Sequence, residues 1–188
     1  MEINGLTYIE DFLSEKKATE LIEYIHKKEW GTTLKRRTQH YGHIYQYNHV
    51  DKNEDEVKPI PKKFIRLFNK LRDKNLGSDI DINKLQVIVN EYEPGQGIGA
   101  HIDDPHKFGD WIISVSLNSD CAIVFTNRID KTEYLKKRIR KNSVYQMTKD
   151  ARYKWTHQIN QIKVDNFDDG DYIRKRRISV TFRYMKKN

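Results

Sequence analysis

The sequence predicts a mainly β protein with flanking helices, and two observations support this fold class. Many short segments rich in β-branched and aromatic residues follow one another closely in the second half of the chain, as strands of an antiparallel sheet do. Two earlier segments instead repeat apolar residues at helical spacing. The chain has 188 residues, which is the size of one domain. We therefore expect a single domain over residues 1–188, with helical support in 1–80 and the β core in 81–188.

The first half of the chain contains a predicted strand near its start and two predicted helices. The strand covers residues 6–9, and Ser14 is the predicted N-cap of the first helix. The second helix is predicted to have Pro61 at its first position, where the fixed φ of proline suits a helix. The apolar residues that would face the core are Ala18, Leu21, Ile22 and Ile25 in the first helix and Phe64, Phe68 and Leu71 in the second.

A segment of basic and aromatic residues spans positions 35–49 and is predicted to be a strand. Its tyrosines and histidines at alternate positions would share one face, directly after the cationic residues. Such a surface suits single-stranded nucleic acid, because rings stack on bases and cations meet phosphates. The composition equally fits a half-buried strand whose tyrosines suit a sheet. The candidate substrate-binding residues are Arg36, Arg37, Tyr41, His43, Tyr45 and Tyr47.

Residues 90–103 include an H-x-D pair, His101 and Asp103. On a strand, the two side chains would project from the same face. One imidazole and one carboxylate, completed by a distant histidine, form the triad that binds non-haem Fe(II) and leaves coordination positions open. His157, in a predicted strand far downstream, is the candidate third ligand, and the loop residue His106 is a weaker alternative. An H-x-D pair alone is also typical of a polar strand end.

Two further predicted strands carry polar side chains towards the same interior. Alternation in strand 86–92 places Asn90 and Tyr92 on one face. In the last strand, 176–184, Arg177 and Arg183 share a face with small hydroxyl residues, opposite an apolar face. Two inward arginines are costly to bury without anionic partners, and a dicarboxylate would satisfy both. The alternative interpretation is a solvated basic face.

The other predicted elements complete the β core. Strands are predicted at 111–117, 122–125 and 143–147, with a turn at 148–152 and a hairpin or loop at 160–176. Residues 131–141 are densely basic and are predicted to be an exposed helical turn or an edge that contacts phosphate.

Taken in order, the elements Asn90-x-Tyr92, His101-x-Asp103, His157 and Arg177-x5-Arg183 resemble the AlkB family of Fe(II)- and 2-oxoglutarate-dependent dioxygenases. The resemblance covers most of the chain. The segments LKRRTQHYG, NEYEPGQGIGAHID and RYKWTHQI look most like the branch that hydroxylates modified wobble uridines in tRNA.

The resemblance implies a double-stranded β-helix, or jelly roll, in residues 81–188, and a nucleotide-recognition lid within 1–80. It implies that His101, Asp103 and His157 bind Fe(II). Arg177 would pair with the distal carboxylate of 2-oxoglutarate, while Arg183, Asn90 and Tyr92 would hold the rest of that co-substrate. The third reactant is O2. The implied reaction is hydroxylation of a modified base, or oxidative demethylation of an alkylated one.

Composition favours a nucleic-acid partner and an intracellular location. The formal net charge is +8, and an excess of positive charge favours polyanions. The single cysteine excludes an intramolecular disulfide, which fits a reducing compartment. No apolar run is long enough for a membrane span, and no signal peptide is recognisable, so we expect a cytoplasmic or nuclear protein that is not secreted.

The expected partner is single-stranded nucleic acid or tRNA, with a separate RNA-binding or methyltransferase protein as a further partner. Two other functions fit the residues. The same chemistry could act on a protein or small molecule, or the fold could bind nucleic acid without catalysis.

Overall fold

The computed structural model describes residues 1–32, 34–43, 58–77 and 80–186. Its helices are α1 (Glu15–His26), α2 (Lys62–Arg72) and α3 (Lys149–Tyr153). The first six strands are β1 (Leu6–Ile9), β2 (Arg37–Gly42), β3 (Leu85–Tyr92), β4 (Ile98–His101), β5 (Ile112–Leu117) and β6 (Cys121–Asn127). The remaining strands are β7 (Tyr134–Ile139), β8 (Val144–Met147), β9 (Trp155–Ile159), β10 (Val164–Phe167), β11 (Gly170–Ile173) and β12 (Arg177–Tyr184).

The strands form two facing antiparallel sheets and a small hairpin. The larger sheet has the order β1-β8-β5-β12-β3-β2, the smaller one β4-β9-β6-β7, and β10 pairs with β11. The mainly β architecture and its jelly-roll class are as predicted. Strands β1 and β2 join the same sheet as β3 and β12, so the first 80 residues contribute strands as well as helices.

Helices α1 and α2 cover the outer face of the larger sheet. Ser14 caps α1 by accepting a hydrogen bond from the backbone of Lys17, and Pro61 is the N-cap of α2. The core beneath them is apolar because β3 and β12 turn every second residue outwards. Its members include Leu21, Ile25, Phe64, Phe68, Val87, Val89, Ile178, Val180 and Phe182.

A second apolar cluster fills the space between the two sheets. It includes Ile112, Ile123, Phe125, Ile139, Met147, Trp155 and Ile159. The inward residues of β3 and β12 that are not in this cluster are mostly polar. Because the lining of the inter-sheet space changes from apolar to polar, a hydrophilic cleft opens between the sheets.

One local feature differs from the sequence prediction, because residues 149–153 form the short helix α3 rather than a turn. For the basic segment, the predicted helical turn is wrong, since the segment contains β7, an edge strand of the smaller sheet. Among the described residues, no helix has both the length and the apolar character that crossing a bilayer requires.

Candidate active site

The antiparallel pairing of β4 with β9 brings the two candidate histidine ligands together. His101 and His157 face each other across this pair, and their ring centroids are 4.3 Å apart. Gly97 permits this close approach, because a Cβ atom there would lie 2.1 Å from the carbonyl oxygen of Ile159. Residues separated by 56 positions in the sequence thus become neighbours in the fold.

Asp103 completes this cluster from outside a strand. Strand β4 ends at His101, and Asp103 lies in the following loop, so same-face strand geometry does not place it. Even so, the ligand atoms of His101, Asp103 and His157 all lie within 4.8 Å of one another. No other group of this kind occurs in the part of the chain that the structure describes, and His106 is not a member.

The pKa shifts of His157 and Asp103, and the hydrogen bonding of His101, suit a metal ion. The Nδ1–H of His101 donates to the carbonyl oxygen of Gly99 at 2.7 Å, which leaves Nε2 available as a ligand. Burial lowers the pKa of His157 to about 4 despite the opposing effect of Asp103. Burial raises the pKa of Asp103, but the cations around it, Arg183 foremost, lower it further than burial raises it. Neutral imidazoles and an ionised carboxylate are the forms that bind metals.

Arg183 contacts the three candidate metal ligands through Asp103. Its Nη1 donates to Asp103 Oδ1, and its Nε donates to Gln86. The guanidinium also lies 3.8 Å from the ring centroid of Phe108. The second arginine of the last strand therefore orients the carboxylate ligand.

Arg177 presents an unsatisfied donor to the cleft. Its Nε donates to Ser116 Oγ at 3.0 Å, whereas its Nη2 is buried and has no hydrogen-bond partner among the described residues. A buried donor left unpaired costs about 1–3 kcal/mol, and more when it is charged. A carboxylate that enters the cleft would satisfy this nitrogen, which is what a 2-oxoglutarate site requires.

Tyr92 of β3 lies opposite Arg177 of β12, and Asn90 lies opposite Ser179. The ring of Tyr92 is 5.7 Å from the Arg177 guanidinium. Arg36, the residue immediately before β2, donates from Nε to Asn90 Oδ1 at 2.9 Å, and its guanidinium lies 5.8 Å from the Tyr92 ring. Arg36 thus connects the edge strand of the larger sheet to the expected co-substrate residues.

One cleft is lined by the candidate metal and co-substrate residues. Its empty volume is about 690 Å³ including the space open to solvent, and its walls combine apolar and polar side chains. Its lining includes Asn90, Tyr92, His101, Asp103, His157, Arg177 and Arg183. The structure therefore brings together every residue that the sequence predicted for the metal and the co-substrate.

The predicted substrate-binding residues are divided between the two faces of β2. Arg36, Thr38 and His40 line the cleft, so the even-numbered residues face inwards. Arg37 lies on the opposite face, where it donates to Glu91 at 2.8 Å and covers the ring of Trp30. Because successive side chains of a strand point to opposite faces, the neighbours Arg36 and Arg37 cannot both face the cleft.

Tyr41 also lies on the helix-facing side of β2. Its ring packs against Phe64 with centroids 5.2 Å apart, its hydroxyl donates to Gln39, and burial raises its pKa to about 12. His43 contacts the carbonyl oxygen of Asn83 at 2.7 Å. Tyr45 and Tyr47 lie outside the described residues, as does most of the expected lid.

Sequence reasoning missed Thr38 and His40. The Nε2 of His40 lies 3.2 Å from Thr38 Oγ1, and its Nδ1 is buried without a partner among the residues described. Burial lowers the pKa of His40, and Arg183, Lys58 and Arg36 lower it further. The alternation that starts at Arg36 places both residues on one face of the strand. The prediction instead chose the opposite face, because that face carries the tyrosines.

The comparisons with known proteins agree with this geometry. A family model described as the 2OG-Fe(II) oxygenase superfamily matches residues 5–183. The chain is 33% identical over 186 residues to uncharacterized protein L905 of Acanthamoeba polyphaga mimivirus, covering 98% of this chain and 87% of the relative. It resembles the solved structure of OsALKBH1 with a TM-score of 0.73 and 16% identity, covering 97% of this chain and 99% of that one, a likeness of fold.

Some relatives have names that state an activity. The tRNA (carboxymethyluridine(34)-5-O)-methyltransferase ALKBH8 of Mus musculus is 32% identical over 169 residues. That match covers 86% of this chain but 25% of the relative, so the chain corresponds to about a quarter of that protein. The DNA N6-methyl adenine demethylase of Caenorhabditis elegans is 28% identical over 197 residues, covering 100% of this chain and 62% of the relative.

The donor set and the matches lead to the same assignment. Two imidazoles and one carboxylate are the ligands of non-haem Fe(II) oxygenases that bind a co-substrate and O2 at open positions. The buried, unsatisfied Arg177 fits the carboxylate of 2-oxoglutarate. This chain belongs to the 2OG-Fe(II) oxygenase superfamily and, within it, to the AlkB family of 2-oxoglutarate-dependent oxygenases.

Proposed function

We propose that this oxygenase hydroxylates a modified or alkylated base in nucleic acid, with RNA, and tRNA in particular, as the substrate class. The observation that carries the proposal is the cleft itself. The cleft is lined by the three candidate metal ligands and by the polar row on β2, which is Arg36, directly before the strand, with Thr38 and His40 within it. The names of the mouse and nematode relatives, which specify a tRNA and a DNA activity, support the same class of substrate.

The reaction depends on Fe(II), 2-oxoglutarate and O2, which together supply hydroxylation of a C–H bond while 2-oxoglutarate is converted to succinate and CO2. The residues of the chain bind and orient the reactants. Arg177 offers its free Nη2 to the distal carboxylate, and Arg183 holds Asp103 in its ionised form. The apolar residues of the cleft limit the access of water to the metal.

The chemistry of the target carbon decides between two versions of the function. A hydroxyl group added to an N-methyl carbon gives an unstable product that releases formaldehyde, so the base is demethylated. A hydroxyl group added to a carbon-bound methylene is retained. The wobble-uridine version is supported by the similarity to ALKBH8, and the demethylation version by the similarity to the nematode demethylase.

We propose that the polar row on β2 reads the target base. Burial and the cations around it lower the pKa of His40, which favours the neutral imidazole with one donor and one acceptor nitrogen. Its Nε2 contacts Thr38 Oγ1. The buried Nδ1 without a partner is the atom that a base edge would satisfy. A separate RNA-binding or methyltransferase protein is proposed as a partner, since the mouse relative is itself named as a methyltransferase.

The basic segment around β7 is a weaker candidate for contact with phosphate. Arg138 forms ion pairs with Asp120 and Asp169, both at 2.9 Å, and Lys141 forms one with Glu15 at 2.7 Å. Because these charges are partly neutralised within the molecule, they attract a polyanion less than unpaired cations would.

Nucleoside mass spectrometry tests the function directly. The protein is incubated with Fe(II), 2-oxoglutarate and O2 in the presence of tRNA or methylated oligonucleotides, with a control that lacks 2-oxoglutarate. A gain of about 16 Da on a modified uridine would establish hydroxylation, and a loss of about 14 Da would establish demethylation. Succinate formation with no change in any nucleoside would contradict the proposal and direct the search to protein or small-molecule substrates.

A pair of variants tests the polar row. We expect Thr38→Val and His40→Leu to raise the KM for the nucleic-acid substrate about fivefold or more, since each loses a hydrogen bond to the base. Tyr41→Phe is the matched control, because Tyr41 lies on the other face of the same strand. An unchanged KM in both cleft variants would remove the row from base recognition.

A further inference from the structure

Arg152 is a buried cation that the reaction described above does not use. It lies in α3 and is 2% exposed, yet its hydrogen bonds among the described residues all go to main-chain carbonyl oxygens. The acceptors are Asp103 at 2.7 Å, Gly109 at 3.2 Å and Asp104 at 3.4 Å. Burying a guanidinium is costly, so a role in this loop has to explain its presence.

The three acceptors lie near the two ends of the loop that carries Asp103. Asp103 and Asp104 begin the loop, and Gly109 ends it. Within the loop, the backbone N–H of Phe108 donates to the carbonyl oxygen of Asp104 at 3.0 Å, and the carboxylate of Asp104 accepts from the backbone of His106 at 2.8 Å. One guanidinium therefore closes a loop that is already turned on itself.

Arg152 also connects the two segments that supply the metal ligands. Helix α3 leads directly into β9, which carries His157, while the loop follows β4, which carries His101. The hydrogen bond from Arg152 to Asp103 spans 49 residues of sequence. A fork of several fixed donors suits this task, because a planar guanidinium holds more than one acceptor in a set geometry.

We propose that Arg152 is a positioning residue for the metal centre, which holds the backbone of Asp103 at the distance from His157 that metal binding requires. It acts through the main chain, in contrast to Arg183, which contacts the carboxylate of Asp103 directly. Residues that hydrogen-bond to metal-ligand side chains typically change metal affinity 10-fold to 100-fold when they are replaced, and we expect the same range for this main-chain contact. The proposal is independent of the substrate.

Metal binding measured without any turnover tests this role. The Kd for Mn(II) is measured by electron paramagnetic resonance on the protein without 2-oxoglutarate or nucleic acid. We expect Arg152→Met to weaken Mn(II) binding about 10-fold to 100-fold, and Arg152→Lys to weaken it less, since one ammonium reaches fewer of the three carbonyl groups. The visible absorption spectrum of bound Co(II) should change in both variants, because the ligand geometry is altered.

Arg128→Met is the matched control. Arg128 also donates to a main-chain carbonyl oxygen of α3, that of Tyr153 at 3.0 Å, but its bond is exposed and does not involve the ligand loop. The Arg128→Met variant should therefore bind Mn(II) with the affinity of the wild type.

Stability is measured in parallel by circular dichroism. A folded Arg152→Met that binds Mn(II) as the wild type does, with a lower Tm alone, would overturn the proposal and leave a purely structural role. If Arg152→Met does not fold, Arg152→Lys decides: wild-type Mn(II) affinity and an unchanged Co(II) spectrum in that variant would also overturn it.

Discussion

Arg36 and Asn90 are joined by a hydrogen bond of 2.9 Å, in which the Nε–H of the arginine donates to the side-chain oxygen of the asparagine across 54 residues of sequence. The bond fixes the orientation of the Asn90 amide, whose NH2 group is then available to a co-substrate. It also places a cation from the substrate side of the cleft against a residue of the expected 2-oxoglutarate site.

Replacing Arg36 should therefore affect the co-substrate as well as the nucleic acid. We expect Arg36→Leu to raise the KM for 2-oxoglutarate about fivefold to tenfold, which corresponds to the loss of one orienting hydrogen bond. Succinate formation measures this KM. Arg37→Leu is the control: it removes one hydrogen-bond partner of Glu91 on the opposite face and should lower the Tm without changing the KM. Equal KM values in Arg36→Leu and the wild type would contradict this linkage.

Arg177→Met should weaken the binding of 2-oxoglutarate without lowering the stability of the protein. We expect 2-oxoglutarate affinity, measured by isothermal titration calorimetry, to fall about 100-fold or more, because a charge-assisted contact to a carboxylate is lost. The Tm of the protein without co-substrate should not fall, since the variant removes a buried guanidinium whose Nη2 has no partner among the described residues. A wild-type affinity would exclude Arg177 from the co-substrate site.

The metal ligands should differ in their effects on the metal-free protein. Asp103→Ala leaves Arg183 buried beside an empty position, since the two side chains are 8% and 5% exposed. Breaking such a buried pair costs about 3–5 kcal/mol. His101 bonds to the backbone of its own strand, so His101→Ala should cost about 1 kcal/mol or less.

Urea unfolding in EDTA measures both changes, and neither variant should bind Mn(II). A similar loss of stability in the two variants would show that the pair of Asp103 and Arg183 does not stabilise the fold. His101→Ala should also abolish turnover while leaving the affinity for nucleic acid largely unchanged.

His40 should make stability depend on pH. Burial, followed by the nearby cations, lowers its pKa in the folded protein below the ordinary value of 6.5. The unfolded chain then binds a proton more readily than the folded one, so the free energy of unfolding should decrease as the pH falls below 6.5. His40→Gln should reduce this slope, because the variant removes the group whose pKa differs between the folded and unfolded protein. An identical slope in His40→Gln and the wild type would contradict the pKa shift.

Much of the fold follows from local patterns in the sequence. The strand at 6–9 and the N-cap Ser14 were predicted and are confirmed. In β3 and β12, alternation alone assigned the inward and outward faces, and the structure shows those faces. Such patterns suffice because successive side chains of a strand always alternate, whatever the strand pairs with.

The face of β2 could not be assigned in the same way. Polar and aromatic residues occur on both of its faces, so its composition does not distinguish an inward Tyr41 from an inward His40. The pairing of β2 with β3 and the packing of Tyr41 on Phe64 decide the question. These are long-range contacts that a single sequence does not contain.

By itself, the sequence determined the fold class, the family and the residue types of the site, because these depend on strand alternation and on motif spacing. Only the tertiary structure decided how the site is held together. The bond between Arg183 and Asp103, the link from Arg36 to Asn90 and the three carbonyl groups on Arg152 all join residues at least 43 positions apart. The physical reason is that packing, and not local propensity, selects the partner of each buried charge.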